Sequence, residues 1–261
     1  MLEHSGRVIP RAMSLVSASH RFGSHLLTAL SIGLLAVLLG PPQPATADAP
    51  NTVTAIDILL EPDAAMVKHA KAANERLLKE FPRGFALGKT HHPHISCLQR
   101  YVKTADLDKV YRAVAKVLTE EKPATWKLKA YRYDYVVWDK LALTVILVEP
   151  TDDLIRYQQQ LIDAVVPFTV KTGTAAAFVT TEEAPNINQP TIDYVRSYVP
   201  DGSGKKFIPH VTVGVAPPEY VKKMLDEKFE AFTFSPVGVA VYQLGNFGTA
   251  RKELKSWNLK P

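Results

Sequence analysis

Two short strings constrain this chain more than any other feature. Pro93-His94-Ile95-Ser96-Cys97 and Pro209-His210-Val211-Thr212-Val213 share one pattern of proline, histidine, apolar, hydroxyl, apolar. On a strand, alternate residues share a face. His94 and Ser96 therefore point one way, with Ile95 and Cys97 on the other. His210 and Thr212 likewise share a face, opposite Val211 and Val213. The apolar partners predict burial, and the histidine and hydroxyl pairs predict a common polar surface. Cys97 reads as a small buried hydrophobe, because a reactive thiol needs an exposed, electropositive setting.

The strings sit at equivalent places in a longer repeat. TAIDILLEP (54–62) and LTVILVEP (143–150) both read as strands that end at Glu-Pro. Helical periodicity follows each, over 63–81 and from Leu154 to Val166. The histidine strands are expected over 92–102 and 207–215, the next helices over 105–119 and around Tyr220–Leu225. Strands then close the pattern over 126–138, 232–244 and 254–259. The second half carries extra residues before its histidine strand, including a loop over 182–190, a short helix over Thr191–Val199 and a flexible stretch at 202–206. The fold class expected is α+β: two pseudo-symmetric lobes, each an antiparallel sheet packed with helices, with a cleft between them. The halves are placed at about 54–140 and 141–259.

With these motifs and this duplication, the chain from Thr54 onward resembles the 2H phosphoesterase superfamily. That family includes the bacterial RNA 2′,3′-cyclic phosphodiesterases once called 2′-5′ RNA ligases. The resemblance implies two lobes about a pseudo-twofold axis. It implies catalytic roles for His94 and His210 and phosphate binding by Ser96 and Thr212. It implies a nucleotide or short RNA substrate carrying a cyclic phosphate, and no cofactor. The residue types suit that chemistry. Histidine titrates near neutrality, so one imidazole can act as base while the other acts as acid. Hydroxyls can donate to nonbridging phosphate oxygens. Near-symmetry leaves open which histidine plays which part.

Three further side chains are candidate substrate contacts. His92 would sit at the mouth of the cleft. Tyr133, with Tyr131 and Tyr135 on one face, would offer a stacking platform, against a plainer place in the core or on the sheet surface. Lys206 would attract phosphate, against a plainer solvated loop. His91, His92 and His94 lack an acid or cysteine on the same face, so no metal site is expected.

Residues 1–47 have a different character. Arg7, Arg11 and Arg21 precede the apolar run Leu26–Leu39, and Ala45-Thr46-Ala47 follows. This is the composition of a secretory signal peptide, with a retained membrane anchor as the competing reading. Residues 48–261 would then be the exported protein, periplasmic or secreted, without a membrane span and monomeric. Removing three arginines and one glutamate from 31 basic and 26 acidic residues leaves a net charge of +3. That excess is too small to argue for a stable nucleic-acid complex. A single cysteine excludes an internal disulfide. Two other classes compete with a metal-independent phosphodiesterase: a nucleotide or phosphate-sugar binding module without turnover, and a metal-dependent hydrolase.

Overall fold

The computed structural model describes residues 52–260 apart from 89, 139 and 183, and the expected leader 1–47 lies outside them. The elements run β1 (Val53–Pro62), α1 (Ala64–Glu80), β2 (Ile95–Lys103), α2 (Leu107–Glu121), β3 (Leu128–Trp138) and β4 (Leu141–Val148). They continue with α3 (Asp152–Val165), α4 (Gln189–Gly202), β5 (His210–Ala216), α5 (Pro218–Asp226), β6 (Phe232–Phe234), β7 (Pro236–Leu244) and β8 (Ala250–Asn258). No described helix is long and apolar enough to cross a membrane.

The strands form two four-stranded antiparallel sheets, ordered β2-β1-β7-β8 and β5-β4-β3-β6. The α+β, two-lobed architecture is as expected. The sheets, however, do not follow the two chain halves. Only residues 139–140 separate β3 from β4, and so short a link closes an antiparallel hairpin. β3 is thereby drawn into the second sheet. In return β7 crosses to the first sheet and pairs with β1. The expected single strand 232–244 is accordingly two strands in different sheets. The crossover is pinned at Ser235, whose backbone N–H donates to Asp63 Oδ2 at 2.9 Å while its carbonyl accepts from Asp63 N at 2.9 Å.

The same repeat sets the helix starts. After each strand-ending Glu-Pro comes a cap: Asp63 accepts from Ala65 N and Met66 N, and Thr151 accepts from Leu154 N. Helix α1 then packs on β5 of the second sheet, while α3 packs on β2 of the first. Each half therefore supplies a helix to the other half's histidine strand. A continuous core joins Ile56, Ile58, Leu77 and Leu98 to Ile146, Val211 and Val213.

Both histidine strands carry a bulge three residues beyond their histidine. The pairing steps from Ile58↔Leu98 to Leu59↔Ser96, which leaves Cys97 extra, and from Thr144↔Gly214 to Val145↔Thr212, which leaves Val213 extra. A bulge interrupts the ladder and leaves backbone groups to be satisfied elsewhere. Buried amides do this reciprocally. Asn74 of α1 donates to Val213 O at 2.9 Å and to Phe85 O at 2.9 Å, and accepts from Leu87 N at 2.9 Å. Gln158 of α3 donates to Cys97 O at 3.2 Å and to Gly202 O at 3.0 Å, and accepts from Gly204 N at 3.2 Å. Each amide ties the approach to one histidine strand to the bulge of the other. Gly214 has φ +152, and a Cβ there would lie 2.8 Å from Leu77 Cδ1, so only glycine fits beside Asn74.

Asn74→Ala strips buried carbonyls of their donor, and should lower stability by about 1–3 kcal/mol. Urea denaturation should show it as a lower midpoint with an unchanged slope.

Candidate functional site

The two histidine strands are edge strands, β2 of one sheet and β5 of the other. They approach within 8 Å between Cα atoms. Alternation is as expected: Ile95 and Cys97 are buried and Ser96 is half-buried, while Val211 and Val213 are buried and Thr212 is half-buried. His94 lies one residue ahead of β2 rather than within it, and His210 is the first residue of β5.

The histidines are held the same way. His94 Nδ1 lies 2.7 Å from His92 O, and His210 Nδ1 lies 2.8 Å from Ile208 O. A carbonyl only accepts, so each Nδ1 carries hydrogen and each neutral ring presents Nε2 as its free base. Burial lowers the pKa of both rings. The bond to His92 O partly opposes this at His94, as the bond to Ile208 O does at His210. Repulsion from His94 lowers His210 further, which is the electrostatic trace of their proximity.

Behind His94 and Ser96 lies a residue that the strand reading passed over. Asp57 of β1 is fully buried. Its Oδ2 accepts from Ser96 Oγ at 2.5 Å and from Gln99 Nε2 at 3.2 Å, and lies 3.7 Å from His94 Nε2. Asp57 Oδ1 has no hydrogen-bond partner among the described residues. Burial pushes the carboxyl from 3.8 up to about 7, against the lowering effect of its bonds from Ser96 and Gln99. An acid within the apolar run TAIDILLEP was the available signal. Glu61, two positions beyond Leu59 on the same face, is also raised, by burial and by repulsion from Glu253.

The insertion before β5 reaches this site as well. Tyr198 of α4 donates to Ser96 O at 2.8 Å, and Tyr194 packs edge-on against Tyr198 at 5.8 Å. Tyr194 is 48% exposed. On the second sheet, Arg132 and Asp134 form an ion pair at 3.0 Å, and Asp134 favours the charged form of His210.

The three candidate contacts fare differently. His92 stands beside Tyr242, at 6.1 Å between rings, and supplies the carbonyl that orients His94. Tyr133 is not brought to the site. It pairs with Ile146, which pairs with Val211, so it lies on the core face and packs edge-on against Phe229 at 4.9 Å. Lys206 is engaged with Pro200 O at 2.8 Å, close to the end of α4. Among the described residues, no three His, Cys, Asp or Glu side chains gather as a metal set. A surface cavity lined by Glu121, Trp126, Asp153 and Arg156 contains none of the site groups.

The chain is similar to several solved structures. TT0787 of Thermus thermophilus is 14% identical, with 79% of this chain and 98% of that chain covered and a TM-score of 0.47. E. coli LigT complexed with ATP is 11% identical, covering 80% and 100%, with a TM-score of 0.40. The MHV ns2 PDE domain is 10% identical, covering 77% and 99%, with a TM-score of 0.40. The chain matches no protein-family model and none of the curated proteins.

Asp57 links the site to stability. Its folded pKa of about 7 exceeds the ordinary 3.8, so the folded state holds this proton more tightly than the unfolded chain. Its contribution is greatest below pH 3.8 and is lost as pH rises through about 7. The loss is on the order of 4 kcal/mol. Asp57→Asn should remove that slope, read as the difference in unfolding free energy between variant and wild type across this range. The two histidines act oppositely: their lowered values cost stability as pH falls below 6.5, and this remains in the variant.

Proposed function

We propose that this chain is an exported phosphodiesterase that opens 2′,3′-cyclic phosphates, or related phosphodiester bonds in nucleotides and RNA ends, by two-histidine acid–base catalysis without a metal. The observation that carries the reading is the matched pair His94 and His210. They stand at the starts of two neighbouring edge strands, His94 one residue ahead of β2 and His210 the first of β5, each with Nδ1 engaged by a backbone carbonyl and Nε2 available.

The chemistry follows from that pair. A phosphate seated between the strands would take one Nε2 on each side. The neutral imidazole accepts a proton from the attacking water. The water oxygen bonds to phosphorus, the ring P–O bond breaks, and the leaving oxygen takes a proton from the other, protonated imidazole. One proton is taken up and one is given, so the histidines end with their protonation states exchanged. Thr212, two residues beyond His210, would donate to a nonbridging oxygen; Ser96 holds the equivalent place beyond His94, and in this geometry its hydroxyl donates to Asp57 Oδ2. Burial leaves both rings poorly protonated at neutral pH, and a bound phosphate restores a proton to one of them by its charge. The orientation of the substrate decides which ring is acid.

The purified protein should open a nucleoside 2′,3′-cyclic phosphate with EDTA present and give a bell-shaped pH profile. His94→Ala and His210→Ala should each lower kcat by about 10²–10⁴-fold. Full activity in both variants would remove the assignment. Binding of a cyclic nucleotide without turnover would instead identify a binding module, and loss of activity on chelation with recovery on zinc would identify a metal-dependent hydrolase. Export rests on the composition of residues 1–47, and mass spectrometry of the exported chain should place its first residue at Asp48.

A further inference from the structure

The two halves of the site are not equivalent where they meet the hydroxyls. In register, Leu59 stands opposite Ser96 and Val145 stands opposite Thr212. Two residues earlier on each strand, β1 carries Asp57 and β4 carries Leu143. Ser96 therefore has a buried carboxyl behind it, and the same place behind Thr212 is apolar.

This matters because Ser96 has one hydroxyl proton. In the present geometry Ser96 Oγ donates to Asp57 Oδ2 at 2.5 Å. A serine whose proton is committed to a carboxylate has none for a phosphate oxygen. The groups that bear on Asp57 come from four elements. From β2 and its approach come His94 at 3.7 Å, Ser96, Gln99 and the Cys97 thiol. From β7 comes Tyr242, the cross-strand partner of Asp57. From α4 come Tyr198 and Tyr194, and from β1 itself Glu61 shares the face. None of these is lysine or arginine, so among the described residues no permanent cation holds Asp57 ionised. Oδ1 is buried and unpartnered among them, a costly state for an anion.

We propose, resting on the phosphodiesterase reading, that Asp57 is a positioning residue that sets which way the Ser96 hydroxyl points. Ionised, Asp57 accepts a hydrogen bond from the Ser96 hydroxyl and turns it away from the cleft. Protonated, the carboxyl donates to Ser96 Oγ, and Ser96 donates to a nonbridging phosphate oxygen. The one covalent change is the O–H bond that Asp57 forms with a proton taken from solvent; otherwise only hydrogen bonds rearrange. Thr212 is a donor in either state, so the two phosphate contacts respond differently to pH. Burial raises Asp57 to about 7, which places the switch within the working range of the histidines.

The test is the pH dependence of kcat/KM for a 2′,3′-cyclic nucleotide in wild type, D57N, S96A and the double variant. Asparagine is a neutral donor at every pH. D57N should therefore move the alkaline limb upward by at least one pH unit, while in the S96A background the same substitution should leave the profile unchanged. An alkaline limb that stays in place in D57N overturns the proposal. So does an equal shift in both backgrounds, which would place Asp57 behind His94 alone. Should D57N not fold, infrared spectroscopy of wild type and S96A reads the carboxyl directly. A protonated carboxylic acid band should be present at pH 6, titrate near pH 7, persist to higher pH when inorganic phosphate is added, and titrate at higher pH in S96A. A band already absent at pH 6, or one lost on adding phosphate, overturns it. If wild type shows no turnover, the enzymatic reading fails, and the infrared arm still decides the Asp57–Ser96 switch.

Discussion

The carbonyls of Cys97 and Val213 are the points on which the site depends. Each belongs to a bulge in an edge strand, where the ladder cannot supply a donor. Each is met instead by a buried amide on a helix from the other half, Gln158 for Cys97 and Asn74 for Val213. The same amides hold the segments that lead into the facing strands. An unmet carbonyl in the interior is expensive, so the bulges, helices and loops must move together or not at all. The two imidazoles inherit that rigidity, because their Nδ1 atoms are fastened to backbone carbonyls at the ends of those loops.

Strand exchange explains how two halves make one site. If each half kept its own strands, the lobes would share only a surface. Because β3 and β7 change sheets, and α1 and α3 pack across, one core runs through both lobes. Asp63 serves the helix start and the crossover at once, through its cap and its bonds to Ser235. The symmetry is close around the histidines and is broken by Asp57 and by the α4 insertion, both of which bear on Ser96.

Much of the fold was legible in local pattern. Periodicity located the helices and most strands within a few residues, and the Glu-Pro endings marked where strands stop. The split at Ser235 did leave a sign, since Ser235-Pro236 interrupts the apolar run of Phe232–Leu244 and proline is confined to strand starts, edges or bulges; that the two pieces join different sheets depends on pairing and on the bonds to Asp63, which are distant in sequence. Of the two readings of Tyr133, the place in the core holds and the stacking platform does not, for a related reason. Alternation says that Tyr131, Tyr133 and Tyr135 share a face, but the face that meets the core is fixed by Ile146 and Phe229, which are distant in sequence. Asn74 and Gln158 did leave a sign, as amides on otherwise apolar stripes beside Ala70 and Leu77, and beside Leu154 and Leu161.

The sequence by itself determined the two histidine strings, their alternation and their equivalent places in a repeat. Those follow from covalent order and the two-residue period of a strand, which need no partner. The tertiary structure alone decided that β2 and β5 would be neighbouring edges, that each bulge would be held from the other half, and that a buried carboxyl would stand behind one hydroxyl and not the other. These depend on register and on contacts between residues far apart in the chain, where burial changes the chemistry of a group such as Asp57 without changing its identity.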